Sequence, residues 1–243
     1  MTQTSLLILG KGYLGAPLAA HLRAAGHCVA ATRRTADDDL TQAFALDDFD
    51  PRAAAVQSWR DHAVWVCLLP PSAGANYVEH LHALLDYAEQ CGVRRMVYAG
   101  SISVYGSAAR LCHEDTPCAP ESEAACKILA VENLLRSSRL PEIRIVRLGG
   151  LYDDARHPIH SLAGRKMLRG GRHPVNLTPR TDAVQALTAA ALQSDNVLLR
   201  NVVAAAHPLR QDFYPAEARR FRLPEPHFDP HDLSSGKIVI SRF

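Results

Sequence analysis

Ser5-Leu6-Leu7-Ile8-Leu9-Gly10-Lys11-Gly12-Tyr13-Leu14-Gly15 is the stretch whose reading decides the fold. Five residues without a charge, ending in glycine, are the pattern of a strand buried on both faces. From Tyr13 to Ala25 the period changes. Leu14, Leu18 and Leu22 recur at helical spacing, Pro17 fits a first helical turn, and Gly26 ends the run. His27 to Thr32 then predicts a second strand, so the chain opens with a β-α-β unit.

The same alternation continues outward. Strands are expected at Ala63 to Leu69, Arg95 to Ala99 and Ile143 to Leu148, with helices at Tyr77 to Cys91 and Ser122 to Ser138. Buried runs separated by helices of this length predict an α/β, doubly wound parallel sheet. After Gly149-Gly150 the density of Pro and His rises. Helices are expected at Ile159 to Arg169, after Asp182 and near Asp212 to Phe221, with strands at Val197 to Val203 and Lys237 to Ser241. The expected division is residues 1–150 for the parallel-sheet domain and 151–243 for a small C-terminal α/β portion. Some strands of the second part are expected to return to the main sheet.

Gly10, Gly12 and Gly15 form G-x-G-x-x-G between the first strand and the first helix. The first glycine makes the tight turn, the second lets backbone approach a pyrophosphate, and the third lets helix and strand pack closely. With the Tyr13 and Leu14 N–H groups at a helix start, this predicts a dinucleotide site, the alternative being a glycine-rich turn without a ligand. The next strand ends in Ala31-Thr32-Arg33-Arg34, with no acid until Asp37. Two guanidinium groups suit a 2′-phosphate, which points to NADP, with NAD as the alternative. Leu46-Asp47-Asp48, read as following a helical stretch, offers Asp47 to the adenine, or else a solvated turn. Leu69 and Pro70 close a strand at the rim where the cofactor would lie.

Composition limits the other classes. The 243 residues are 47% hydrophobic, enough for a real core. The 27 basic and 25 acidic residues leave a net charge of +2, without the strong field that nucleic acid requires. The longest apolar run is far short of a membrane span. Only four of the basic residues are Lys (Lys11, Lys127, Lys166, Lys237), so each is conspicuous. The six Cys are scattered without metal-ligand spacing, and no metal site is expected. With no secretory signal at the N-terminus, a cytoplasmic location is expected.

Four features then resemble one family in order: the Gly10 motif; Tyr98-Ala99-Gly100-Ser101-Ile102-Ser103-Val104-Tyr105-Gly106; Lys127 on the following helix; and Arg147-Leu148-Gly149-Gly150-Leu151-Tyr152. Val175 to Asp182 is similar to the segment before that family's next helix. The chain resembles an atypical member of the extended short-chain dehydrogenase/reductase branch, the NAD(P)-dependent epimerase/dehydratase-like enzymes. The resemblance implies a Rossmann fold with a substrate-binding C-terminal portion. It implies that Ser101 polarises a substrate oxygen and that Lys127 binds the nicotinamide ribose. The family's Y-x-x-x-K motif is broken, because Glu123 stands where the tyrosine belongs. Glu123 beside Lys127 would be ionised, a base and a poor proton donor, or simply an ordinary helix pair. Tyr105 is the nearest other phenol.

The leading expectation is an NADP-binding oxidoreductase acting on a small polar or nucleotide-sugar substrate. The missing tyrosine supports a second one, a catalytically idle NAD(P)H-binding sensor. The expected partners are the dinucleotide and a small molecule, not nucleic acid or membrane, with homodimerisation left open.

Overall fold

The computed structural model describes residues 3–194 and 197–242. In chain order the elements are β1 (Ser5–Leu9), α1 (Gly15–Ala24), β2 (Cys28–Arg33), β3 (Thr41–Ala43), α2 (Ala54–Gln57), β4 (Val64–Cys67), α3 (Tyr77–Gln90), β5 (Arg95–Ser101) and β6 (Leu111–Cys112). They continue with α4 (Glu123–Ser137), β7 (Glu142–Leu148), β8 (Gly150–Tyr152), α5 (Ile159–Leu162), β9 (Leu177–Pro179), α6 (Arg180–Leu192), β10 (Leu199–Val202), α7 (Arg210–Arg220) and β11 (Ile238–Val239).

Seven strands form one parallel sheet in the order β10-β7-β5-β4-β1-β2-β3. The chain winds outward from β1 through β2 to β3, then restarts at β4 on the other side of β1. This reversal leaves a crevice beyond the carboxyl ends of β1 and β4, which is where doubly wound folds bind ligands.

Alternation along β1 shows why the strand is apolar throughout. Leu7 and Leu9 enter the core beneath α3 and α4, while Leu6 and Ile8 enter the core with α1 and α6. All four residues of β4 are buried. The C-terminal residues add to this body, since β10 pairs with β7 and Ala183, Val184, Leu187 and Ala191 of α6 join the second core. A third, smaller cluster of Ile159, Val175, Leu177, Tyr214 and Ala218 sits with α5, β9 and α7.

Local expectations fail where tertiary contacts decide. The helix expected from Ile159 to Arg169 stops at Leu162, because Ala163 leaves the helical region and Gly164 and Met167 take φ values of +70° and 55°. The stretch before Leu46 is the edge strand β3, not a helix. The strand expected at Lys237 to Ser241 shortens to β11, whose partner β6 has no periodicity to announce it. Among the described residues no helix is long and apolar enough to cross a membrane.

One buried ion pair joins β7 to α4. Arg147 Nε lies 2.9 Å from Glu132 Oε1 and Nη2 lies 2.5 Å from Oε2, with Arg147 2% and Glu132 0% exposed. Burial works against the guanidinium charge, yet Glu132 outweighs it and holds Arg147 well above its ordinary pKa. The guanidinium also lies 4.9 Å from the centre of the Tyr105 ring. Removing one partner strands a buried charge, which costs about 3–5 kcal/mol, whereas replacing both by apolar groups costs far less. Glu132→Leu or Arg147→Met alone should therefore lower the denaturation midpoint more than the double variant does. Equal loss in all three would show that the pair's charge is not what matters.

Candidate functional site

β1 ends at Gly10, whose φ of +102° is the left-handed region that glycine tolerates. Its N–H donates to Thr32 Oγ1 at 3.1 Å, tying the turn to the end of β2. A Cβ on Gly15 would come within 2.2 Å of the Gly10 carbonyl oxygen, so α1 can start this close to β1 only with glycine there. A Cβ on Gly12 would meet nothing within 4 Å, so that side of the turn faces open space. No side chain caps the start of α1. Leu14 is buried in the core, which leaves its backbone rather than its side chain for any ligand.

Beside the turn lies an open groove of about 160 Å³, bounded by the turn itself, Arg33 and Arg34, Phe44 to Leu46, and Leu69 and Pro70. Gly10, Gly12, Arg33, Arg34, Leu69 and Pro70, each assigned to the cofactor from sequence, thus share one surface. Asp47 does not join them. Its carboxylate accepts from the Ala75 N–H at 3.0 Å and lies 3.1 Å from His80 Nδ1, so it is committed to bracing the loop before α3.

Arg33 is not a free cation, since it pairs with Asp37 at 2.7 Å. The larger surprise is Lys11, inside the glycine motif and 9% exposed. Its Nζ donates to Asp37 Oδ1 and Asp38 Oδ2, each at 2.6 Å, and to Thr41 Oγ1 at 2.8 Å. Lys11 and its companions hold Asp37 down at about 2. This clamp fixes the β2–β3 connection against the turn. The rarity of lysine in this chain was the only sequence signal for it.

The residues assigned to chemistry cluster at the carboxyl end of β5 and the start of α4. Ser101 Oγ accepts from the Ser103 N–H at 3.1 Å, capping the short turn of residues 102–105, and its own O–H stays available to donate. Tyr105 is 0% exposed, and its hydroxyl donates to Asn201 Oδ1 at 2.9 Å. Burial pushes this phenol up, and its hydrogen bond to Asn201 ties the turn of residues 102–105 to β10. Glu123 opens α4 behind the Ser122 cap, with its side chain 82% exposed and 2.6 Å from Lys127 Nζ. Lys127 draws its carboxyl below the ordinary range, so Glu123 is a carboxylate at neutral pH. Sequence reasoning also missed Lys237, which reaches from the C-terminal segment to donate to the carbonyls of Ile102 and Gly106 at 2.7 and 2.5 Å. Among the described residues no group of His, Cys, Asp or Glu is placed to hold a metal ion.

Gly15→Ala tests whether the turn is as tight as it looks. The added Cβ must displace the Gly10 carbonyl, and overpacking of this kind costs about 1–3 kcal/mol. The variant should melt earlier than Gly12→Ala, whose added methyl has room. Equal melting temperatures would contradict the packing described.

The family model described as NAD dependent epimerase/dehydratase family matches residues 6–152. Protein YeeZ of Escherichia coli (strain K12) is 30% identical over 246 residues, covering 96% of this chain and 89% of its own. Among solved structures, MoeE5 in complex with UDP-glucose and NAD superposes with a TM-score of 0.80 at 20% identity, over 98% of this chain and 90% of that one. UDP-glucuronic acid 4-epimerase from Bacillus cereus, in complex with NAD, gives a TM-score of 0.77 at 16% identity, with 98% and 90% covered. These two likenesses concern the fold. On its sequence match and its glycine turn, the chain belongs to the NAD-dependent epimerase/dehydratase family.

Proposed function

We propose that this chain is an NADP-preferring, epimerase/dehydratase-like oxidoreductase acting on a small polar or nucleotide-sugar substrate. The observation that carries the reading is the glycine turn, open at Gly12 and continuous with a groove that ends in Arg33 and Arg34. MoeE5 was solved with UDP-glucose and NAD, which supports a substrate of that class.

The residues present fit a dinucleotide. Backbone N–H groups of the turn and the uncapped start of α1 would hold its pyrophosphate. Leu69 and Pro70 would flank it, and Lys127 would reach its ribose. When bound, the nicotinamide supplies a hydride donor or acceptor. The chain's own residues do the rest. The Ser101 hydroxyl donates to the substrate oxygen, and the residues after 150 close the substrate side.

Without the family tyrosine, proton transfer falls to another group. Glu123 is ionised, so it suits removal of a proton in the oxidative direction and not its delivery. The exposure of Glu123 and the burial of Tyr105 leave neither of the chosen substitutes as a proton donor, and this favours a second reading, a dinucleotide-binding sensor without turnover. NADPH with a panel of carbonyl and sugar-nucleotide substrates separates the two. Turnover lost in Ser101→Ala and Lys127→Ala supports the enzyme. Cofactor binding with no turnover on any of them supports the sensor.

Cofactor preference follows from charge. Lys11 pairs with Asp37 and Asp38 and Arg33 pairs with Asp37, whereas Arg34 makes no ion pair among the described residues. NADPH should raise the melting temperature more than NADH at equal concentration. Arg34→Ala should cost NADPH about 10-fold in affinity and NADH little. Asp37→Asn, which releases Arg33, should tighten NADPH. Stronger stabilisation by NADH would overturn the NADP preference, and no response to either would remove the dinucleotide reading.

A further inference from the structure

His157 is buried away from the groove beside the glycine turn. It is 3% exposed, with its ring centre 5.2 Å from that of Tyr152, 5.9 Å from Phe213 and 5.3 Å from Phe221. Its Nδ1 accepts the Ile159 N–H at 3.1 Å, so the one proton of the neutral ring sits on Nε2. That Nε2 has no hydrogen-bond partner among the described residues, and Glu217 Oε2 stands off at 3.5 Å.

Charged groups reach this ring from every element around it. α7 brings Glu217 and Arg220, α5 brings His160, and the loop between β8 and α5 brings Asp154. These are largely matched to one another. Arg220 pairs with both Glu217 and Asp154 at 2.9 Å, and His160 Nε2 lies 2.9 Å from the Asp154 carbonyl oxygen. Tyr152, on β8, is a neutral phenol that burial pushes up. Burial outweighs the pull of Glu217 and holds the His157 imidazole below its ordinary range. Geometry sets the same direction. A second proton must go on Nδ1, where it would meet the Ile159 N–H, donor against donor.

We propose that His157 is a proton-sensitive latch that holds the loop of residues 153–158 and α5 against α7. When Nδ1 takes a proton, the Ile159 contact is lost. A charged ring is then costly among three aromatic rings, so the loop and α5 part from α7. The parallel sheet stays folded, because its two cores contain none of Tyr152, Ile159, Phe213 and Phe221. A released imidazole binds a proton near its ordinary pKa of about 6.5, whereas the packed one resists it. The latch is therefore fully closed above about pH 6.5 and loosens as the pH falls below it. The same loop carries Arg156, whose guanidinium lies 4.8 Å from the centre of the Tyr13 ring, so release also withdraws a contact from the glycine turn. The latch does not depend on whether a dinucleotide binds there.

Amide hydrogen exchange of the full chain on either side of about pH 6.5, corrected for the intrinsic pH dependence of exchange, tests this. Amides of residues 153–162 and 210–221 should lose protection at the lower pH, by up to about 10-fold per pH unit, the limit for one proton. Those of β1, β4 and β5 should not change. In His157→Asn the side-chain oxygen can accept the same Ile159 N–H without titrating, so the loss should disappear. His160→Asn, which removes the neighbouring imidazole, should keep it. Circular dichroism checks folding, and if His157→Asn does not fold, NMR titration of the His157 ring in the native chain decides. A ring that titrates below about 6.5, in step with the loss of protection, supports the latch. Unchanged protection in the native chain, an equal loss in His157→Asn, a loss abolished by His160→Asn, or a loss shared by the sheet overturns it. So does a ring that titrates at or above about 6.5.

Discussion

The buried pair between Arg147 and Glu132 is the constraint on which the chemical end of this molecule depends. It bolts β7 to α4 across the layer that also holds β5. A Cβ on Gly100 would approach Glu132 Oε1 to 2.9 Å, so glycine is needed just before Ser101 for the carboxylate to pass. The guanidinium face lies on Tyr105, whose hydroxyl continues the chain of contacts to Asn201 on β10. The positions of Ser101, the turn behind it and Lys127 follow from one charge pair that neither partner can leave without exposing the other to an apolar core.

The C-terminal segment completes this arrangement. Asn201 Nδ2 donates to the Ile240 carbonyl, and Asn176 holds residues on both sides of Ile238 through the Lys237 carbonyl and the Val239 N–H. Lys237 then reaches the carbonyls of Ile102 and Gly106. The last residues therefore act on the loop after β5 more than 130 positions away, and hold the backbone that presents Ser101. Glu114 collects the Asn201 and Arg242 N–H groups at the same junction.

At the cofactor end, charge is balanced rather than simply positive. Lys11 lies within the glycine motif, but its three donors go to Asp37, Asp38 and Thr41. The absent tyrosine is the second chemical departure. A carboxylate paired with Lys127 cannot reproduce a phenol that gives up a proton on demand, because its proton is already gone at neutral pH.

By itself the sequence determined the parallel sheet and the dinucleotide turn, because both are written in short-range pattern. A strand buried on both faces must be apolar throughout, and a turn that brings Gly15 against the Gly10 carbonyl must be glycine. Boundaries of β1, α3, α4 and β7 were legible for the same reason. Tertiary structure alone decided who partners whom. Nothing local in Leu111-Cys112 reveals the strand it forms with Ile238, and nothing in the residues around Asp47 reveals the Ala75 amide that takes its charge. Likewise Arg33 read as free until Asp37 folded back onto it, and the three-donor clamp of Lys11 spans a loop of about 30 residues. Hydrogen bonds and ion pairs act within a few ångströms of space, whatever the separation along the chain, so only the folded molecule assigns them.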